Sequence, residues 1–441
     1  MFSDIDVIPF YIFYSGGKLP EAIFLEQKIL KKFKRETKIP LMHEPSDMDT
    51  KRNLLIISSG GIGSDDNRKF SFFRSDNGVL YFIPQKFSTD ILKDYRAIVR
   101  RNKTFYTSYQ VPDEEVVTVQ FKLEEAPFEE FCMNHKIKNF IICFKERINE
   151  SYIFFKSIDI NILIGIARIP LHNFDVSLFR RGVEIINMLK KINFKYIILP
   201  EITNTGNLFI YYFPVDISGS FSELTSYHIL ALAELYSIKS KQVFIGLWNK
   251  LHEIMAFLKN TGENLIKYHL PENTRGRVIN ILDLSRVLIE ALPLNASVPM
   301  TVYQGSWDCM NTIVKDEKVL VLNWDNFDFP FPPFFDLYDY LFYEYILRDS
   351  EPPITSSINS YLNEVFSLKS SAVLRKIFNE WMEYVELSFV LHTLYMTKGV
   401  LITTIRKGYK SEAGLIRLLF AMERLLEHSV KEVFRIKPES S

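Results

Sequence analysis

Apolar and polar positions alternate differently in the two halves of the chain. Up to about residue 220, short apolar runs of strand length recur: Val7–Tyr14, Asn53–Ile57, Phe70–Phe73, Val79–Pro84, Val116–Leu123, Asn139–Lys145, Tyr152–Ile158, Ile162–Ile169 and Leu208–Phe213. Runs of this length bounded by turn residues predict strands. Helical spacing interrupts them at Pro20–Phe33, where Ile23, Phe24, Ile29, Leu30 and Phe33 share a face. It does so again at Ser88–Asn102, Pro127–Ile137 and Asp175–Ile192, and Pro214–Ser220 reads as a turn-rich link. Beyond it the period becomes 3.6, and helices are predicted over Ser222–Ser237, Lys241–Leu258, Gly276–Leu292, Ser356–Leu368, Ala372–Val400 and Glu412–Phe434. Val298–Leu322 is the exception, a loop between short strands.

A sheet-rich segment followed by a helical one predicts an α+β chain. Its 441 residues exceed one ordinary core, so two or three domains are expected. Neither repeats nor low-complexity tracts occur.

Charge narrows the classes. The 53 basic and 53 acidic residues balance, which gives no nucleic-acid footprint. The basic run Lys28–Lys38 reads as the solvated face of one helix. Cys132, Cys143 and Cys309 are too few and too scattered for a disulfide framework or a metal spacing, and a reducing cytoplasm is the expected setting. No uncharged apolar run reaches the ~18 residues of a membrane span, and acids precede the first apolar run, so neither a membrane segment nor a signal peptide is expected.

Glycines at Gly60, Gly61 and Gly63 follow a strand. Asp65 and Asp66 come next, where a phosphate loop needs a helix N-terminus free of negative charge. This segment reads as a plain loop.

The chemistry concentrates in Tyr303–Asp339. Gln304-Gly305-Ser306 is followed by Asn311 five residues after Ser306, a hairpin over Val314–Leu322, then Asn323-Trp324-Asp325 and Phe335-Asp336-Leu337. This order resembles the catalytic segment of aminoglycoside-phosphotransferase-like kinases, in which a His-Gly-Asp loop, an Asn, a hairpin, an Asp-Trp-Glu-like triplet and a Phe-Asp-Leu helix entry succeed one another. The resemblance implies an α+β, two-lobe protein-kinase-like fold with an additional N-terminal α/β domain. Its divisions would be residues 1–126, a kinase-like N-lobe at 127–218 and a helical C-lobe at 219–441, with the hinge near Tyr212–Asp216. Trp248 and its neighbours resemble the family helix that leads towards the catalytic loop.

Phosphoryl transfer depends on positioning and charge neutralisation. By resemblance, Ser306 stands where the family has its loop acid and Asn323 where it has a metal-binding acid, while Asn311 is kept. A hydroxyl cannot accept a proton near neutral pH, and an amide oxygen brings no charge to a divalent cation. Asp308 is the candidate to act in place of Ser306. Asp325, two residues after Asn323, shares its side of an extended backbone and is the candidate metal ligand with Asn311 and Asn323. Arg168 stands at the position of the phosphate-binding Lys, and Gly182 at that of its partner Glu, with Glu184 two residues on. No glycine lies in Lys145–Ser151, where a nucleotide lid would have one. Asp336 is expected to cap the helix from Leu337 and to tie the loop down. His252, His228 and His392 read as packed core histidines. Trp307 and Trp324 would serve the core or wall a cleft.

The expected function is therefore that of a degenerate kinase-like protein acting by binding or regulation, which by family analogy alone lies near carbohydrate or surface-polysaccharide synthesis, with ATP and Mg2+ as the cofactors the resemblance implies. Nucleotide, a small molecule and a protein would be its partners. The alternative is an atypical ATP-dependent sugar-like O-phosphotransferase acting on an alcohol group. A third option assigns an unrelated function to the N-terminal residues.

Overall fold

The computed structural model describes most of residues 2–43, then 53–58, 69–74, 80–84, 117–156 and 163–217 with short gaps. It also describes 224–436 apart from 309–310, 322, 348–352 and 408–412. The fold is α+β, and the chain forms two compact units. The first comprises Met1–Lys191 and Leu199–Ser220, the second Ile192–Ile198 and Phe221–Ser441.

Besides a separate parallel pair of Phe2–Ser3 with Phe33–Lys34, the first unit is built on one 11-stranded sheet. Its strands in chain order are β1 (Ala22–Leu25), β2 (Leu41–Met42), β3 (Leu54–Ser58), β4 (Lys69–Arg74), β5 (Leu80–Pro84) and β6 (Val117–Lys122). Helix α1 (Pro127–Asn134) follows, then β7 (Ile141–Arg147), β8 (Glu150–Lys156), β9 (Leu163–Ile169) and helix α2 (Asn173–Leu189). The chain passes through β10 (Ile197–Ile198), which pairs in the second unit, and returns for β11 (Glu201–Thr205) and β12 (Leu208–Ile217). The order across the 11 strands is β11-β12-β9-β8-β7-β5-β4-β6-β3-β1-β2. The expected boundary at 126 and 127 thus falls between β6 and β7, two strands of the same sheet.

Its core lies on one face. Ile23 and Leu25 of β1 and Leu55 and Ile57 of β3 pack with Phe10, Tyr14, Phe70, Phe121 and Phe128. The alternate residues, Ala22, Phe24, Leu54 and Ile56, are buried in a second cluster on the other face. Strands covered on both faces lose polar alternation. That is why Pro20–Phe33, expected as a helix, instead supplies β1, and β1 pairs in parallel with β3. The opposite correction applies at Val7–Tyr14: Val7, Ile8, Phe10, Tyr11 and Tyr14 are helical, with all five buried. Pro214–Ile217 continues β12 where a turn-rich link was expected. The glycine-rich segment 59–68 and the expected helix 88–102 lie outside the described residues.

The second unit is mostly helical. It contains α3 (Ser226–Ser237), β13 (Ser240–Phe244), α4 (Asn249–Asn264), α5 (Glu272–Ala291) and β14 (Ser297–Tyr303). Strands β15 (Thr312–Lys315), β16 (Lys318–Val321) and β17 (Asp328–Phe331) precede α6 (Phe335–Phe342), α7 (Ile354–Ser367), α8 (Ala372–Phe378), α9 (Val385–Lys407) and α10 (Ala413–Ile436). Two small sheets, β10-β16-β15 and β13-β14-β17, hold the central loops between them in sequence. The expected helix over Lys241–Leu258 starts later, because Ser240–Phe244 pairs with β14. Ala372–Val400 is broken by a tight 3-10 segment at Asn379–Tyr384. The stretch Ala372–Arg406 is apolar and long enough to cross a membrane by composition, yet 67% of its most apolar window is buried in the protein.

Candidate functional site

The loop after β14 is fixed by a carboxylate beneath it. Asp336, in the first turn of α6, is fully buried. Its Oδ1 accepts the backbone N–H of Gln304 at 3.0 Å and of Gly305 at 2.9 Å. Burial pushes the Asp336 carboxyl up to about 8, although the two N–H donors pull the other way. The expected tie is present, but the expected cap is not. The N-cap position belongs to Phe334, whose φ is 70°, and Asp336 turns its side chain to the loop.

Gly305 has φ 78°. A Cβ there would stand 2.7 Å from Asn326 Cβ and 2.8 Å from the Asn326 carbonyl, so glycine serves both the turn and the approach of a second loop. That second loop is 323–326, and amides stitch the two together. Gln304, fully buried, donates from Nε2 to the Asn323 carbonyl, and its Oε1 accepts the Ser306 N–H at 2.8 Å. Asn326 donates from Nδ2 to Ser306 Oγ at 3.1 Å and to the Gly305 carbonyl at 3.2 Å. Asn323 Oδ1 accepts the Asp325 N–H at 3.0 Å.

On the far side of Ser306 the chain makes a compact turn. The Asp308 carbonyl accepts the Asn311 and Thr312 N–H groups at 3.1 and 3.0 Å, and Asn311 Nδ2 donates to Asp308 Oδ2 at 2.7 Å. Thr312 Oγ1 donates to the Asp308 carbonyl at 2.8 Å and also meets His228 Nε2 at 3.2 Å. Asp308 and Asn311 are half-buried, whereas Asp325 is 1% exposed. Below the turn, Tyr303 donates to Asp339 at 2.5 Å, and His392 contacts the other Asp339 oxygen at 2.9 Å.

Ser306, Asp308, Asn311, Asn323 and Asp325 therefore sit on two adjacent loops of the second unit. Arg168 belongs to the first unit, on β9, opposite Tyr152 and Phe209. On α2, Gly182 is buried and Glu184 exposed. Trp307 and Trp324 are both fully buried and belong to the core. So do His228 and His392; His252 is exposed instead, bonded through Nε2 to the Gly246 carbonyl. Asn326, Thr312 and the bridging role of Gln304 have no motif of their own, and only the tight Gly305 hints that another loop must pass close by.

This donor set fits a divalent cation poorly. It offers two carboxylates, Asp308 half-buried and bonded to the Asn311 amide and Asp325 almost wholly buried, and two amides, of which Asn323 has its oxygen on the Asp325 N–H. Among the described residues no group of three His, Cys, Asp or Glu side chains could hold a metal. A separate cleft of about 710 Å3 lies between α4 and α5, lined by Leu258, Leu265, Ile279 and Leu282, and shares no residue with these loops.

No family model and no curated protein matches the chain. Among solved structures it is similar to an ADP-bound aminoglycoside phosphotransferase, APH(2'')-Ib, at 13% identity, covering 69% of this chain and 98% of that one, with a TM-score of 0.43. An ethanolamine kinase of Plasmodium vivax is similar at 12% identity over 78% of this chain and 95% of that one, with a TM-score of 0.40. A macrolide 2'-phosphotransferase of Brachybacterium faecium is similar at 12% identity over 71% and 98%, with a TM-score of 0.36.

Proposed function

We propose that this chain is a kinase-like, nucleotide-binding protein of the aminoglycoside-phosphotransferase type that has lost phosphotransfer and acts by binding or regulation, through a small-molecule or protein partner. The observation that carries the reading is the closed amide network between 304–306 and 323–326. The Ser306 hydroxyl is engaged as an acceptor by Asn326, and a hydroxyl cannot take a substrate proton at neutral pH. Asn323 spends its oxygen on the Asp325 N–H. Gln304 and Asn326 bond across the two loops, and Asn326 reaches the Ser306 hydroxyl where a kinase would meet its substrate. Such a site has no carboxylate at the two motif positions, Ser306 and Asn323, where the general base and the charge for magnesium are needed. A reducing cytoplasm remains the proposed location.

One observation favours a second reading, an ATP-dependent O-phosphotransferase acting on an alcohol. Asp308 is half-buried and orients Asn311, so it could receive a hydroxyl proton beside the one amide kept from the motif. Asp325, almost wholly buried, is the weaker substitute.

Titration with ATP, with and without magnesium, separates the two. A ligand present at about 100 Kd stabilises the folded state by roughly 2.7 kcal/mol. Stabilisation by ATP that is indifferent to magnesium, with no ADP released over a panel of alcohols, is the expected result. Magnesium-dependent turnover at ordinary rates, about 1–10³ s⁻¹, would overturn the first reading. Loss of that turnover in Asp308→Asn would establish the second.

A further inference from the structure

Beneath the 308–312 turn runs a chain of hydrogen bonds that the amide network does not include. His228, in the first turn of α3, is fully buried. The Thr225 N–H donates to its Nδ1 at 3.1 Å, which makes Nδ1 an acceptor and places the ring proton on Nε2. From there Nε2–H donates to Thr312 Oγ1 at 3.2 Å. The Thr312 hydroxyl has one proton, and it is spent on the Asp308 carbonyl at 2.8 Å. Asp308 in turn holds the Asn311 amide. With Nδ1 as acceptor, Nε2–H donates to Thr312 and the Thr312 hydroxyl to the Asp308 carbonyl, while the Asn311 amide is held by the Asp308 carboxylate.

The ring is also fixed from the sides. The Tyr340 ring meets His228 edge to face at a centroid distance of 5.3 Å, and Trp307 does so at 6.2 Å. Burial holds the imidazole neutral, lowering its pKa to about 4, so the single Nε2 proton persists at physiological pH. Thr312 is the residue through which this rigid base reaches the loop, and it is itself fully buried.

We propose that His228, acting through Thr312, is a positioning residue that sets the Asp308–Asn311 turn in the orientation in which it meets the nucleotide. This rests on the nucleotide-binding reading above. His228 bonds the turn through Thr312, so its influence is on geometry alone. A threonine hydroxyl left without the imidazole donor could rotate away from the Asp308 carbonyl, and the turn would lose the contact that joins it to α3.

Three variants test this in the full chain. His228→Phe keeps an aromatic ring without the donor. Thr312→Val is isosteric and removes both bonds, which guards against misfolding of the first. In His228→Gln the side-chain Nε2 reaches the place of the imidazole Nε2 and restores the donor. Two quantities are read: hydrogen exchange at the Asn311 and Thr312 amides, and ATP affinity by calorimetry.

His228→Phe and Thr312→Val are expected to speed exchange at those two amides at least tenfold and to weaken ATP binding about tenfold. His228→Gln should recover most of both. Unchanged exchange in the folded variants overturns the proposal. So does faster exchange with unaltered ATP affinity, because that marks a merely structural histidine. If the wild type binds no ATP, the nucleotide reading falls separately, and exchange at the two amides then decides whether His228 holds the turn.

Discussion

At the residue scale, Asp336 shows how one side chain can be legible in type and misread in role. The Phe-Asp-Leu triplet marked it, and its tie to the loop follows from the motif. What the motif does not convey is that the carboxylate lies inside the helix and works as a double acceptor under Gln304 and Gly305. Its charge is a burden there, and burial raises its pKa to about 8. What it supplies is an oxygen. Asp336→Asn keeps one and, near pH 4 where burial no longer costs the acid its charge, is expected to cost less than about 1 kcal/mol. Asp336→Ala leaves two buried N–H groups unpaired, each at about 1–3 kcal/mol, before the lost volume is counted. Urea unfolding followed by tryptophan fluorescence distinguishes them. Equal losses in the two variants would mean that the charge, and not the acceptor, holds the loop.

At the scale of elements, α4, α5, α7 and α10 were readable because each keeps one apolar stripe at the 3.6 period. Strand β1 was not, because Ala22–Leu25 is buried on both faces and offers no alternation to read. Val7–Tyr14 erred in the other direction: a short run of Val, Ile, Phe and Tyr is compatible with either state, and tertiary packing decided it. The candidate site divides similarly. Ser306, Asn311 and Asn323 carry motif spacing. His228 and Asn326 act across 84 and 20 residues of chain, a separation no local pattern encodes. The same non-local logic secures β10, which has only two residues and one parallel neighbour. Glu234 of α3 compensates, accepting the Lys195 N–H on one carboxylate oxygen and the Tyr196 N–H on the other, both at 2.7 Å. A charged acceptor strengthens each bond. Glu234→Ala is therefore expected to destabilise the second unit by about 1–3 kcal/mol. It should also raise exchange at the Lys195 and Tyr196 amides well before that of α5. Exchange that rises equally in α5 would show that the clamp has no local role.

At the scale of the whole molecule, two buried groups give stability opposing pH slopes. All four tryptophans, Trp248, Trp307, Trp324 and Trp381, lie in the second unit, so fluorescence follows the unit that contains both groups. His228 is lowered from 6.5 to about 4. As pH falls from 6.5 to about 4, the unfolded chain takes up a proton there and the folded one does not, so stability falls with acid. Asp336 is raised from 3.8 to about 8. From about pH 4 to 8 the folded protein keeps a proton that the unfolded chain has released, so stability falls as pH rises. Each slope is about 1.4 kcal/mol per pH unit. They cancel between about pH 4 and 6.5, and only the Asp336 slope survives from about 6.5 to 8. The differences between wild type and variants isolate each limb, since every other group is common to both. Relative to the wild type, His228→Gln should gain about 3 kcal/mol as pH falls from 6.5 to 4, and should run parallel to it above 6.5. Asp336→Asn should gain on the wild type steadily from pH 4 to 8. A flat difference curve for His228→Gln would mean that the folded ring titrates at its ordinary value and takes up a proton as the pH falls below about 6.5. Nδ1 could then no longer accept the Thr225 N–H, and the ordered series of bonds from Thr225 to Asn311 would lose its first link.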